Sequence, residues 1–437
     1  MAQVPEGALM QRAATGLAVR TAGLIRRRFG RISGIRLCVV AGSGNNGGDA
    51  LFAASRLARR GVAVDIVATS DTLHPEGLRA ARREGARVVA ARPADVVLDA
   101  VVGIGGTGPL RDNAVAIRDT VDAGLTIAVD LPSGLQPDTG AAPGQVWRAD
   151  HTVTFGTLKP GVVLRPDVCG TVHLVDIGLA ATLPSADVEV VERSDAGALL
   201  PGPGFGDNKY TRGVVSIAAG SEEYPGAGQL CTAGARHADV GMVRSPVGGF
   251  PDVVASDGRT DAYVVGPGLA DPQRLSESVR RALDSGRPVV LDAEALSQVA
   301  AGPVVITPHE GEFARMGFVL GEDRIAAVRH AAAELGVAVL LKGAVTVVAA
   351  PGGRVFINTH SSPNLAAAGS GDVLSGLLGG MLARNFVGRD PEVTQIARIA
   401  ASAALVHGQA GVLAGFPATS VDIADQVPAA VRWATQP

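Results

Sequence analysis

Eight residues, Gly42-Ser43-Gly44-Asn45-Asn46-Gly47-Gly48-Asp49, stand between a short apolar run, Ile35–Ala41, and a stretch with helical spacing, Asp49–Arg60. Glycines let a backbone turn sharply and approach a ligand, and the start of a helix offers free N–H groups to an anion such as phosphate. The spacing is neither GxGxxG nor a Walker loop, and a plain strand-to-helix turn is the alternative. Two carboxylates close other apolar runs. Asp99 precedes Val101–Gly108, and Asp130 precedes Leu131-Pro132-Ser133-Gly134. Either could be a helix cap, although Pro132 and Gly134 suit a turn better than a helix start. Asn46, Asp99 and Ser133 carry oxygens that could coordinate a hard cation.

A second set lies further on. Gly369-Ser370-Gly371-Asp372 precedes an apolar stretch, Val373–Leu382, whose first N–H groups would face an anion. Asp372 could take a proton from a hydroxyl facing phosphate, or merely cap the helix. Lys342 opens Lys342-Gly343-Ala344-Val345-Thr346 at the end of Val337–Leu341, where an ammonium can meet phosphate oxygens. Gly266-Pro267-Gly268 and Thr307-Pro308-His309-Glu310-Gly311-Glu312 end two more runs. His309 alone would read as a structural residue. Lysine is rare here: 36 of the 39 basic residues are Arg, and the three lysines are Lys159, Lys209 and Lys342. An ammonium is a point charge that a planar guanidinium does not replace, though composition drift alone could leave three.

Rigid elements must bring these loops together. A helix is expected over 6–28, then strand 35–41, helix 49–60, Gly61 as a stop, and strand 62–67. Runs 96–102 and 125–130, with a helix over 112–123, continue the alternation, which argues a doubly wound α/β layer. The Pro-, Ser- and Gly-punctuated segment around 180–205 reads as a boundary, giving domains 1–195 and 196–437. The alternation then restarts with strands 214–218, 262–265, 288–292, 304–307 and 337–341 and helices 227–238 and 273–283. A hairpin joins 346–350 to 354–358 through Pro351-Gly352-Gly353. Ligands in such sheets bind outside the carboxyl ends of the strands, so the loops of each half converge on one crevice.

Composition excludes several classes. The 437 residues suit two or three domains. Gly and Pro make up about a fifth of the chain, but 47% is hydrophobic, which means many tight turns rather than disorder. With 3% aromatics and a net charge of −3, no basic, aromatic-rich surface for nucleic acid is expected. No membrane span or signal peptide is expected either. Cys38, Cys169 and Cys231 are far apart and read as core residues in a reducing, cytoplasmic setting.

GNNGGD, DAVVGIGGTGPLR and DLPSG, in that order, resemble the NAD(P)H-hydrate epimerase domain over roughly residues 5–180. The resemblance implies a Rossmann-like domain that interconverts R and S hydrates of NADH and NADPH. It implies hydrate contacts from Asn45, Asn46, Gly47, Gly48 and Asp49 and from Gly103, Ile104, Gly105, Gly106, Thr107, Gly108, Pro109 and Arg111. Asp130 would be the acid–base residue, and Asn46, Asp99 and Ser133 would hold K⁺. Lys159, in Thr157–Gly161, matches a similar stretch and implies a structural or substrate-positioning role. Residues 200–437 resemble the ribokinase-like, ADP-dependent NAD(P)H-hydrate dehydratases through NKYTRG, YPGA, VGPGL, LDAEAL, TPHEGEF, Lys342-Gly343 and Asn364–Asp372. This implies that Ala227, Gly268, His309 and Asp372 contact the S hydrate. It implies that Lys342, Gly343, Ala344, Val345, Thr346 and Gly371 contact the nucleotide, with Mg²⁺ bridging its phosphates. Ser297 and Gly228 depart from the family's usual Asn and Ala.

The implied whole is a bifunctional repair enzyme, isomerase and lyase. It epimerises NADHX and NADPHX and returns the S form to NAD(P)H with ADP as co-substrate. The alternative is a ribokinase-class small-molecule kinase with a non-catalytic N-terminal binding module, which leaves the first set of motifs unexplained. ADP against ATP, and self-association as a homo-oligomer, stay open.

Overall fold

The computed structural model describes residues 7–106 and 108–436. Thr107 therefore lies outside the described residues. The chain divides into Met1–Ser185 and Ala186–Pro437. Residues 186–195 fall in the second unit, because Val188–Val190 pairs with Val355–Asn358 there.

The first unit is built on a seven-stranded sheet. Its order is Arg87–Val88, Ala63–Ala68, Arg36–Ala41, Val96–Ala100, Thr126–Val129, His151–Phe155 and Thr171–Val175. Every pair is parallel. Strands of this kind are covered on both faces and read as continuous apolar runs, as RLCVVA and VVLDA do. Helices Ala8–Phe29, Asn45–Ala58 and Pro75–Arg83 supply residues to a core with Leu37, Val39, Ile66 and Leu98. Helix Asp112–Thr120 supplies Ala114 to the opposite cluster with Cys38, Val40 and Val97. The strand order reverses between Arg36–Ala41 and Val96–Ala100, the switch point where a doubly wound sheet opens a crevice. The expected strand 96–102 stops at Ala100, where the Gly42 N–H takes the Ala100 carbonyl. A Cβ on Gly42 would overlap the Val101 carbonyl, so this approach requires glycine.

The second unit carries a nine-stranded sheet. The five strands Val214–Ala218, Ala262–Val265, Val289–Leu291, Val304–Ile306 and Ala338–Leu341 run parallel in that order, with Met242–Arg244 outside the first. Thr346–Ala349 and Val355–Asn358 come next and run antiparallel, as the Pro-Gly-Gly link requires. Helices Pro225–Arg236, Ser370–Asn385, Val393–Ala414 and Ser420–Thr435 gather over one face in a single apolar cluster with Val215, Ile217, Val264 and Phe356. Helix Ser370–Asn385 begins three residues before the expected Val373. Helix Val393–Ala414 is long and apolar enough to cross a membrane by length and composition, although Arg398 and Gly408 interrupt its apolar run. In its most apolar 18-residue stretch 83% is buried, and the helix belongs to the core of this unit.

Two helices of this cluster touch through glycine. A Cβ on Gly376 would overlap the Cys231 carbonyl, and one on Gly234 would overlap the Val373 carbonyl. Their approach sets where the Gly369–Asp372 loop stands relative to Ala227. Gly376→Ala is expected to cost about 1–3 kcal/mol of stability by overpacking. A lowered denaturant midpoint with an unchanged slope checks this, and an unchanged midpoint refutes it.

Candidate active sites

A cleft of about 700 Å³ opens at the switch point of the first unit. That volume is in the range of small-molecule and cofactor sites. Asn45, Asn46, Asp49, Gly103, Ile104, Gly105, Gly106, Gly108, Pro109, Arg111 and Asp130 all line it. Gly47 and Gly48 do not. They are buried in the first helical turn, where a Cβ would overlap the Gly42 carbonyl or come 2.9 Å from the His74 ring. The absence of a side chain at both positions lets the loop pack close to its neighbours.

Asp99 and Ser133 do not line the cleft either. Asp99 is fully buried, and Ser133 donates to it twice, from Oγ to Oδ1 at 2.6 Å and from N to Oδ2 at 2.7 Å. The Val102 N–H, in the cleft wall, donates to Ser133 Oγ at 3.1 Å. Burial raises the Asp99 pKa to about 6, against the lowering effect of these hydrogen bonds. No Lys, Arg or His forms a salt bridge with Asp99 among the described residues.

Asp130 sits just past strand Thr126–Val129 with φ 68°, a left-handed conformation that few residues other than glycine adopt. Its N–H donates to the Val153 carbonyl at 2.8 Å, which pins the turn to the next strand. Its Oδ1 accepts from Lys159 Nζ at 2.6 Å and from Thr154 Oγ1 at 3.0 Å. Lys159 is held further by Thr154 Oγ1 and the Phe155 carbonyl, both at 2.9 Å. The carboxylate thus bonds to the neighbouring strand and its loop; among the described residues it makes no hydrogen bond to the Pro132–Gly134 turn. The partnership with Lys159 is the contact that motif reading missed, and the scarcity of lysine was its one signal.

In the second unit, Asp292 is the hub. It is 2% exposed at the end of strand Val289–Leu291. Its Oδ1 accepts from Lys342 Nζ at 3.0 Å and its Oδ2 from Ser375 Oγ at 2.7 Å. Glu312 Oε2 lies 3.7 Å from the same ammonium. Burial works against the charge on Lys342, but Asp292 and Glu312 outweigh it and raise the lysine's pKa. A Cβ on Gly371 would stand 3.4 Å from Lys342 Nζ, which places the ammonium at the start of helix Ser370–Asn385. There the Ser370, Asp372 and Val373 N–H groups donate to the Ala367 and Gly369 carbonyls. Gly371 N–H makes no such bond among the described residues, so the expected set of free amides narrows to this group beside an ammonium.

Asp372 accepts no hydrogen bond among the described residues. Its pKa is raised to about 7, first by burial and then by the negative charge of Asp292, with Lys342 opposing. Ala227 and Gly268 come together: with φ 61°, Gly268 stands where a Cβ would be 2.6 Å from Ala227 Cβ. His309 is exposed and caps helix Glu310–Arg315, its Nδ1 accepting from the Gly311 and Glu312 N–H groups. Gly343 and Ala344 are exposed, whereas Val345 and Thr346 are buried in or beside strand Thr346–Ala349. A smaller cavity of about 230 Å³ in this unit, lined by Arg244, Arg274 and Arg281 among others, includes none of these residues.

The family model described as YjeF-related protein N-terminus matches residues 6–161, and that described as NAD(P)H-hydrate dehydratase matches residues 247–424. A Mycobacterium tuberculosis protein named as a bifunctional NAD(P)H-hydrate repair enzyme is 46% identical over 88% of this chain and 86% of its own length. A Synechocystis protein of the same description is 32% identical over 98% and 92%. Among solved structures, the ADP/ATP-dependent NAD(P)H-hydrate dehydratase of Bacillus subtilis, co-crystallised with ATP and Mg²⁺, aligns at TM-score 0.50 and 26% identity. It covers 57% of this chain and all of that one. A ribokinase-like superfamily protein of Enterococcus faecalis, 20% identical at TM-score 0.51, shares the fold of the second unit. With both halves matched and relatives aligned over most of their length, the chain belongs to the family of bifunctional NAD(P)H-hydrate repair enzymes.

Proposed function

We propose that the first unit epimerises the R and S hydrates of NADH and NADPH. The second unit returns the S hydrate to NAD(P)H at the expense of ADP. The dehydratase reading is carried by Asp372, a carboxylate without a hydrogen-bond partner among the described residues, at a helix start beside Lys342. As a base it takes the proton of the ring hydroxyl while that oxygen bonds to the terminal phosphorus of ADP and AMP departs. Phosphate then leaves with the C–O electron pair, and loss of a proton from the adjacent carbon restores the ring double bond. Lys342 and the Gly371 N–H meet the charge that develops on phosphate oxygens. Ala227 and Gly268, brought together without bulk, leave room for the hydrate.

Asp292 and Glu312 fit Mg²⁺, which takes one or two carboxylates and completes its shell with phosphate and water. The ion would offset phosphate charge. In the first unit, K⁺ suits a buried Asp99 that no cationic side chain pairs with. The Asn46 amide, whose Nδ2 is buried and unpartnered, adds a donor whose two ends are interchangeable by a flip. Asn46, Asp99 and Ser133 would hold the ion, which would keep Asp99 ionised and the strand-end loops in place. Three buried free thiols suit a reducing compartment, the cytoplasm.

In the epimerase cleft, Asp130 acts as the base on the hydroxyl, oriented by its 2.6 Å hydrogen bond from Lys159. Asp130→Asn keeps shape but not basicity. It is expected to leave R hydrate repaired only at the spontaneous epimerisation rate while S hydrate is repaired normally. Repair of R at the parent rate overturns this role.

Asp372→Asn should lower dehydration by about 10²–10⁴-fold and leave R/S interconversion intact. Because Asp372 must be deprotonated to act, parent dehydration should fall as pH drops below about 7. A flat profile from pH 5 to 8, or near-parent turnover in the variant, refutes the assignment.

Lys342→Arg should weaken nucleotide use, since a planar head cannot occupy a point-charge site between Asp292 and Gly371. Unchanged nucleotide KM and kcat would return Lys342 to an accident of composition.

A further inference from the structure

Asp49 lies in the first turns of helix Asn45–Ala58 and lines the same cleft as Asp130. Its Oδ1 is buried and has no hydrogen-bond partner among the described residues. The two carboxylates are treated differently. Asp130 is tied to the Lys159 ammonium, with Thr154 on the same oxygen. Asp49 forms no salt bridge among the described residues, and His74, which packs on the adjacent Gly48, spends its Nδ1 on the Gly77 N–H. Arg111 lines the cleft but forms no salt bridge with Asp49.

We propose that Asp49 is a second acid–base residue of the epimerase cleft, carrying the proton that the ring nitrogen needs when the hydrate ring opens. This rests on the epimerase reading above. The hydroxyl-bearing carbon of the hydrate adjoins the ring nitrogen, so inversion there can run through an open aldehyde. On opening, Asp130 takes the hydroxyl proton, the C–N electron pair goes to nitrogen, and nitrogen takes the proton of Asp49. After the carbonyl turns over, nitrogen returns its proton to Asp49 and attacks the carbon, and the oxygen recovers its proton from Asp130. Nothing is oxidised or reduced, and both residues end as they began. At each stage the pair holds one negative charge, which avoids two adjacent carboxylate charges in a low-dielectric cleft. Burial, reinforced by the charge of Asp130, raises the pKa of Asp49 to about 7, so it holds a proton where a surface aspartate would not.

The test uses the full chain with mixed R and S hydrates and tracks their interconversion from pH 5 to 9. Parent epimerisation should fall above about pH 7, as Asp49 loses its proton. Asp49→Asn should lower the rate at least about 100-fold and abolish that alkaline fall, with little change in KM. A stability readout is independent of activity. A carboxyl whose pKa is raised on folding keeps its proton while the unfolded chain loses it, so stability falls between about pH 4 and 7. Asp49→Asn, uncharged throughout, should therefore raise Tm at pH 8 and not at pH 4. Parent-level epimerisation in the variant, or survival of the alkaline fall, overturns the proposal. A parent chain no faster than the spontaneous reaction overturns the epimerase reading itself and this assignment with it.

Discussion

A buried carboxylate at the carboxyl end of a parallel strand holds each site together. In the first unit Asp99 spends both oxygens on Ser133 and so ties the loop after one strand to the loop after the next. In the second, Asp292 binds Lys342 from one neighbouring element and Ser375 from another. A carboxylate is costly to bury, and its hydrogen bonds offset that cost only in one geometry. The loops around it are therefore fixed, although loops are ordinarily the mobile part of a fold. Removing the partner of a buried charge is strongly destabilising, because that charge is left uncompensated.

These anchors also set the chemistry next to them. Burial and then the nearby Asp292 raise the pKa of Asp372 towards neutrality, and the same Asp292 holds the Lys342 ammonium. One residue thereby tunes a base and orients a cation. In the first unit the division is between two carboxylates: Asp130 is paired with Lys159, whereas Asp49 forms no salt bridge among the described residues and burial raises its pKa to about 7. Separating neighbouring acids by environment is how one cleft can both give and take a proton at neutral pH.

Much of the architecture was legible because buried parallel strands are written as short apolar runs. Strands Val214–Ala218 and Ala262–Val265 fall where the runs placed them. Strands His151–Phe155 and Thr171–Val175 were not legible: HTVTF and TVHLV mix polar and apolar residues, since Thr152 and Thr154 satisfy their hydroxyls inside the fold. Helix Val393–Ala414 hid for the opposite reason: apolar on nearly all sides, it lacks the one-faced pattern that marks a surface helix. The boundary fell at 185/186 because Val188–Val190 adds a strand to the second sheet, a pairing that no local signal carries.

By itself the sequence determined which loops are candidates for chemistry. Glycine-rich strand ends, Asp130, Asp372 and Lys342 are local patterns, and a strand's carboxyl end is a local place. The tertiary structure alone decided what each charge meets. Lys159 lies 29 residues after Asp130 and Lys342 lies 50 after Asp292, and only the register of parallel strands brings them within hydrogen-bonding distance. Gly47 and Gly48 are legible as glycines of a ligand loop, but only the fold shows that each also stands where a Cβ would meet the Gly42 carbonyl or the His74 ring. Protonation was likewise beyond the sequence: it depends on burial and on the sign of the nearest charge, which are set by the fold as a whole.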